Sequence, residues 1–235
     1  MKNKSLITSI SMIAGAIGLS VILILVGGKA TNQPTGNHLG NSAPRPQQAA
    51  QIVPGPTSLE DNDAVLGNPD APITLVEFAD YQCTFCTKFF NETESILIDK
   101  YVKTGKLKIV FRDLVINGRE SQNAAEAAEC AGEQEKYWDY HDRLYSERRG
   151  YNVGVFKKNN LIKFASDLGL DTEQFSSCYE SGKYQQEIAK DSQDAARFGA
   201  RGTPNFFLNG RQLVGAQPYQ VFAGLIDQIL TNGGL

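Results

Sequence analysis

The chain has 235 residues, 41% of them hydrophobic, and a formal charge of −3 at pH 7. That suits one ordinary folded domain with appendages and lacks the basic footprint that nucleic-acid binding needs. Its four cysteines are too few for a disulfide scaffold, yet enough for a redox pair and one staple.

Lys2 and Lys4 precede an uncharged, Leu/Ile-rich run from Leu6 to Val26. As a helix that run is long enough to cross a bilayer core of about 30 Å. Lysines at the extreme N-terminus favour keeping that end in the cytoplasm and exporting the rest. Gly28-Lys29-Ala30 resembles the small-x-small site of a cleaved signal peptide, but a signal core is usually only about 7–15 residues. The favoured reading is therefore a single uncleaved anchor over 1–28. Either way the folded part lies outside the cytoplasm, where disulfides persist. Residues 29–58 are rich in Pro, Gly, Gln, Asn and Ala, cannot bury enough surface to offset their ordering entropy, and read as a flexible linker. His38, within it, is given no role.

The domain is expected to start near Leu59 and run to residue 235. Ile73 to Ala79 carries apolar residues on both parities, as a strand buried on both sheet faces does. After Cys83-Thr84-Phe85-Cys86, the residues Phe89/Phe90, Ile96/Leu97 and Tyr101 recur at helical spacing up to Gly105. Leu107, Ile109 and Phe111 then alternate with Lys108, Val110 and Arg112, a second strand. The result is a β-α-β unit with two cysteines at the strand-to-helix turn. Glu120 to Arg148 reads as one long helix or two abutting ones, and further helices are expected over about Asn159–Leu168, Asp171–Ser181 and Tyr184–Phe198. Asp171, with Gln174 three residues on, resembles a capping box. Asn205–Leu208 and Arg211–Val214, joined by Asn209-Gly210, predict a hairpin, and Pro218 precedes a last amphipathic helix. The order is β-α-β, a helical block at about 119–199, then β-β-α: an α/β fold.

Two cysteines spaced three apart at a helix start can form a disulfide. The first is expected at the terminus with its sulfur exposed, the second one turn in and shielded. Free N–H groups and the positive helix end stabilise a thiolate there, which makes Cys83 the nucleophile and Cys86 the resolving thiol. Zinc sites use the same spacing, but they want a second pair or a Cys/His cluster. Cys130 and Cys178 stand apart on separate helices, and His141 sits on a helix crowded with aromatics, where packing or surface placement is the plain reading. No metal and no cofactor is expected. Asn91-Glu92-Thr93 fits a glycosylation sequon but falls inside the helix and is discounted.

The run Glu77-Phe78-Ala79-Asp80-Tyr81-Gln82-Cys83-Thr84-Phe85-Cys86, with Gly202-Thr203-Pro204-Asn205-Phe206-Phe207 far downstream, resembles DsbA-type thiol–disulfide oxidoreductases. The membrane-anchored bacterial and archaeal branch fits best. Ala127-Ala128-Glu129-Cys130-Ala131 and Tyr137-Trp138-Asp139-Tyr140-His141-Asp142 resemble that branch's inserted helical region. The likeness runs from about Leu59 to the end and implies a thioredoxin fold interrupted by an all-helical insertion. It further implies a cis-proline loop at Thr203-Pro204, packed on the active-site disulfide and offering backbone to an extended substrate. Glu77 matches the family's buried acidic proton relay; on a strand face shared with Ile73, Leu75 and Ala79 it would be desolvated and suited to proton transfer. Some family members carry a structural bridge in the insertion. If Cys83 pairs with Cys86, Cys130 and Cys178 either form that bridge or remain two buried free thiols.

Thr84-Phe85 departs from the family's best-known dipeptide of Pro and His and supplies no imidazolium, so the thiolate must rely on the helix terminus and backbone N–H groups. Tyr81, Thr84, Phe85 and Phe206 are candidates for a rim contacting unfolded chains. The resemblance implies an oxidase that donates disulfides to exported proteins and is reoxidised by a quinone-linked membrane partner. A reductase or isomerase of the same fold is the enzyme alternative, and an anchored binding module stapled by Cys83–Cys86 is the non-catalytic one.

Overall fold

The computed structural model describes Leu59 and residues 61–232, so the expected anchor and linker lie outside the described residues. Among the described residues, no helix is long and apolar enough to cross a membrane.

The sheet is organised by two strands whose sequences are apolar on both parities. β2 (Ile73–Ala79) is buried at every position except Thr74, and β3 (Leu107–Asp113) at every position except Lys108. They pair in parallel from Ile73↔Leu107 to Ala79↔Asp113, as strands covered on both faces do. β4 (Asn205–Leu208) adds antiparallel to β2, and β5 (Arg211–Val214) antiparallel to β4. A short strand that the sequence does not announce, β1 (Val65–Leu66), closes the other edge against β3, giving the order β1-β3-β2-β4-β5. Asn209 and Gly210 both take positive φ, 45° and 83°, as the type I′ turn of a two-residue hairpin requires.

The helix after the cysteines begins as α1 (Thr84–Phe89) and continues through a π-helical stretch at Phe90–Glu94, a short α2 (Ser95–Leu97) and a second π-helical stretch at Ile98–Val102. Its apolar side, Phe89, Leu97, Tyr101 and Val102, packs on Ile73, Leu75, Leu107, Ile109 and Phe206. The C-terminal α8 (Tyr219–Asn232) lays Phe222, Ile226 and Ile229 on the same face. The opposite face, with Val76, Phe78, Val110 and Phe207, is covered by Ala195 of α7 (Gln185–Arg197).

The helical block resolves the one-or-two-helix alternative as two. α3 (Arg119–Gly132) and α4 (Tyr137–Glu147) are separated by a turn in which Glu135 takes φ 59°. α5 (Lys158–Asp167) and α6 (Thr172–Ser181) follow. Asp171 caps α6 by accepting from the N–H groups of Glu173 and Gln174 at 2.9 and 3.0 Å, which meets the N-cap half of the expected box. Cys130 and Cys178 are joined by a disulfide with Cα atoms 5.8 Å apart, tying α3 to α6. The free-thiol alternative is thereby closed.

Arg112 was expected on the polar parity of β3 but is 1% exposed. Its guanidinium is held by Asp61 at 3.3 Å, Asp63 and Asp194 at 2.9 Å, and Asp191. Burial, followed by the hydrogen bond with Asp61, pushes the Asp63 carboxyl up to about 10. That hydrogen bond in turn is the main cause holding Asp61 well below the usual carboxylate range. One proton shared between neighbours relieves the excess of negative charge around a single cation. The cluster pins the start of the domain to β3 and α7.

Candidate active site

The turn from β2 into α1 is built by two buried polar residues of the motif. Asp80 accepts on one carboxylate oxygen from Gln82 N–H at 2.8 Å and Ser121 Oγ at 2.7 Å. On the other it accepts from Ile116 and Asn117 N–H at 2.8 and 3.0 Å. The side chain of Gln82 donates to Ser121 Oγ at 2.8 Å and accepts from Asn152 N–H at 2.5 Å. The backbone O of Gln82 accepts from Arg148 Nε at 2.8 Å. Arg148 also donates to Thr84 Oγ1 at 2.8 Å, and the Tyr151 hydroxyl lies 3.0 Å from the same atom. The segment after α4 therefore clasps the Thr84 end of the dipeptide. Sequence reasoning missed Asp80, Gln82, Arg148 and Tyr151. For the first two, polar residues between a buried strand and the cysteines were a usable signal; the latter two lie far off in sequence and carry none.

Cys83 and Cys86 are both free thiols here, the reduced dithiol form. Cys83 is the N-cap of α1, with φ −67° and ψ 127°. At 6% exposure it is more covered than expected, and its Sγ lies 3.3 Å from the backbone O of Thr203. The Thr203-Pro204 peptide bond is cis, and the Thr203 carbonyl of this loop is the group that faces the sulfur. The Cys83 thiol is pulled down to about 6. The largest cause is a hydrogen bond from Cys86, opposed by burial and reinforced by Thr203 and by the N–H groups of Cys86 and Phe85. Helix-end N–H groups do contribute, yet side-chain donors outrank them. Cys86 is fully buried, and burial above all pushes its thiol well up.

Glu77 is 2% exposed. Its partners across the sheet are Phe111 on β3 and Phe206 on β4. Burial first, then the charges of Glu94 and Cys83, hold its carboxyl well above the usual range. Of the four residues expected to form a rim, two are at the surface and two are not. Phe85 is 61% exposed beside the sulfur, and Thr84 is exposed too. Tyr81 and Phe206, at 1% and 0%, are core. Tyr81 is 5.1 Å from the rings of Phe111 and Tyr145, and Phe206 is 4.5 Å from Phe89 and 5.1 Å from Phe222. Strand alternation turns Phe206 inward, onto the face shared with Glu77. His141 is fully buried among the rings of Tyr81, Phe90, Phe111, Trp138 and Tyr145. Among the described residues, the carboxylates of Asp61, Asp191 and Asp194 gather within 4.8 Å of one another, but Arg112 and Lys190 already occupy them.

A dithiol at a helix start, facing a cis-proline loop on a β-α-β…β-β-α frame, defines a thioredoxin-type site. A thioredoxin family matches residues 59–228, and the chain belongs to it. Among curated relatives, the disulfide bond formation protein D of Bacillus subtilis is 25% identical over 191 residues, covering 78% of this chain and 84% of that one. The Na(+)/H(+) antiporter NhaA 3 of Salinispora tropica is 33% identical over 165 residues, 69% of this chain. The chain spans only 24% of that antiporter's length. Among solved structures, alpha-DsbA1 of Wolbachia pipientis superposes with a TM-score of 0.65 at 26% identity, covering 71% of this chain and 90% of that one. The resemblance read from the motifs, to DsbA-type oxidoreductases, is the one the Bacillus and Wolbachia proteins show.

Proposed function

We propose that the chain is an extracytoplasmic thiol–disulfide oxidoreductase that donates the Cys83–Cys86 disulfide to exported proteins. The observation that carries this is the Cys83 sulfur, capping α1 and 3.3 Å from the Thr203 carbonyl beside a cis-proline. A thiol at about 6 is roughly 90% ionised at pH 7, against a few per cent for an ordinary cysteine. Cys83 is thus a good leaving group, and the reduced form is stabilised, which is what an oxidant needs. In the forward reaction a substrate thiolate attacks Cys83 of the disulfide. The S–S bond breaks, and Cys86 departs and is protonated by Glu77. A second substrate thiolate then attacks the substrate sulfur of the mixed disulfide and expels Cys83 as thiolate. One substrate proton ends on Cys86 and the other in solvent. The Thr203 backbone beside the sulfur offers an edge along which an extended substrate pairs, and Phe85 supplies an apolar contact.

The membrane anchor, the export of the domain and a quinone-linked membrane reoxidase belong to the same proposal. They rest on Lys2, Lys4 and the Leu6–Val26 run. One observation favours a second reading, a reductase or isomerase: the dipeptide Thr84-Phe85 brings no cation to the thiolate. The deciding experiment equilibrates the full chain with glutathione buffers and follows disulfide formation in a reduced, unfolded protein, with Cys83→Ser as control. A potential near thioredoxin's, about −270 mV, would sink the oxidase reading, and exchange that survives Cys83→Ser would sink both.

A further inference from the structure

Arg148 stands where α4 ends, as the C-cap residue with φ −58° and ψ 130°. There the backbone leaves the helix, and the Arg148 side chain reaches the two residues that flank Cys83. Its Nε donates to the backbone O of Gln82 and its Nη2 to the Thr84 hydroxyl, both at 2.8 Å. One planar guanidinium therefore spans the residue that reacts. The neighbours Arg143 and Arg149 each pair with Glu147, whereas Arg148 has no carboxylate partner among the described residues. A cation near a helix N-terminus also opposes the positive end of the dipole. Ion pairing does not account for its place; the two bonds across Cys83 do. Tyr151 completes the arrangement. Its ring lies 5.0 Å from the guanidinium, and its hydroxyl accepts from Thr84 N–H at 3.3 Å while lying 3.0 Å from Thr84 Oγ1.

We propose that Arg148 is a positioning residue for Cys83: its fork holds Gln82 and Thr84 so that the sulfur stays aimed at the donors that make it a thiolate. Resting on the oxidoreductase reading, this role deepens it by naming what sets the poise of the same site. Cys83 owes its acidity to groups that must meet one sulfur at once: the Cys86 thiol, Thr203, and the N–H groups of Cys86 and Phe85. Hydrogen bonds weaken steeply as their angles fall, so the aim of Sγ matters, and that aim follows the Cys83 backbone. Cys83 sits at the helix boundary, with φ −67° and ψ 127°. On its downstream side the Cys83 carbonyl accepts from Thr87 N–H and Thr87 Oγ1, both at 3.1 Å. On its upstream side Cys83 N–H donates to Asp80 O at 2.9 Å, closing the turn. Arg148 ties that turn, through Gln82, to Thr84, the first residue of α1. The link crosses the one residue that joins turn to helix. Arginine suits it because its donors are fixed in a rigid plane.

The test follows Cys83 thiolate absorbance against pH, and equilibration with glutathione, in the full chain. Arg148→Met keeps an apolar stem over Tyr151 but donates nothing, and Thr84→Val removes the hydroxyl that receives Nη2. In Arg148→Met the ionisation constant of Cys83 should fall by about fivefold or more, part of one hydrogen bond to a charged group. The thiol then rises from about 6 to about 6.7 or above. At pH 7 the reduced form should lose about fourfold against glutathione. Thr84→Val should move the titration the same way, and Thr84→Ser, which keeps the hydroxyl, should restore it. In the double variant the two shifts should fall well short of adding, because both remove one link. A merely structural Arg148 lowers the denaturation midpoint and leaves the titration in place, which overturns the proposal. Fully additive shifts overturn it too, since Arg148 would then act apart from Thr84. A wild-type Cys83 that titrates at about 8.5, as an ordinary cysteine does, or never exchanges with glutathione, overturns the oxidoreductase reading itself. Should Arg148→Met fold poorly, NMR of the wild-type Arg148 Nε–H decides. A signal protected from solvent exchange that shifts as Cys83 titrates supports the fork. One that exchanges freely, or stays fixed through the titration, overturns it.

Discussion

Replacing Cys86 by alanine isolates the donor that the structure ranks first in making Cys83 acidic. The substitution removes the Cys86 S–H but keeps the backbone N–H of residue 86, which also supports the thiolate. Phe85 N–H and Thr203 are untouched. A hydrogen bond to a charged group contributes about 1.5–3 kcal/mol; sulfur is a weak donor, so the low end applies. That is about tenfold in ionisation. Cys83, at about 6 in the wild type, should rise to about 7 in Cys86→Ala, and its ionised fraction at pH 7 should fall from roughly 90% to roughly half. Thiolate absorbance and the pH dependence of iodoacetamide alkylation both read this directly. An unchanged titration would show that the helix end and Thr203 hold the charge unaided, and the ranking of donors would be wrong.

Removing both partners of the bridge by Cys130→Ala with Cys178→Ala opens a loop of sequence separation 48. This should cost about 4 kcal/mol in the chain-entropy estimate, a fall in Tm of about 8–16 °C, with exchange by Cys83 retained below the new midpoint. Phe206→Ala should destabilise by about 3–5 kcal/mol in chemical denaturation. Phe85→Ala should stay within about 0.5 kcal/mol and instead slow exchange with an unfolded protein more than with dithiothreitol. Glu94 and Glu129 are held up, chiefly by burial, to about 7 and about 8 from a usual 4.5, so the folded state keeps protons that the unfolded chain releases. Their contribution is full below about pH 4.5 and is lost as pH rises through about 7 and 8, so the oxidised protein's denaturation midpoint should fall across that window. Cys83 has the opposite sign. Lowered from 9.0 to about 6, it stabilises the reduced form fully above about pH 9, by about tenfold at pH 7, and not at all once pH falls well below 6. Redox equilibration against pH reads that slope.

The strands and the hairpin were legible because their signals are local. Both-parity apolarity marked Ile73–Ala79, and Asn209-Gly210 offers the backbone conformation that its turn demands. Cys83 and Cys86 were legible for the same reason: their spacing fixes one thiol at the helix start and the other a turn in. What failed to show is whatever depends on partners distant in the chain. The polar parity of Arg112 pointed to solvent, but four aspartates from two other segments made its burial tolerable. Aromatic character alone could not tell Phe85, on the open side of the helix start, from Phe206, whose strand register turns it inward. The clasp of Arg148 and Tyr151 on Thr84 follows a helical segment whose docking no local pattern records.

That clasp alters what the dipeptide between the cysteines must supply. Thr84-Phe85 has no cation, and its chief polar group, the Thr84 hydroxyl, is engaged by Arg148 and Tyr151 from the helical block. From the same block, α4 packs Tyr145 on Tyr81 and Phe90, in the apolar cluster that holds Cys86. The insertion therefore reaches the dithiol twice, at the Thr84 hydroxyl and in the apolar cluster that holds Cys86. Within a thioredoxin frame whose own contribution is a helix start and a proline loop, the character of the exchange depends on how α4 and the segment after it are seated. The Cys130–Cys178 bridge, joining α3 to α6, braces that block from outside the reacting pair. One cysteine pair in this chain, as a disulfide, thus keeps the scaffold in place on which the other pair reacts.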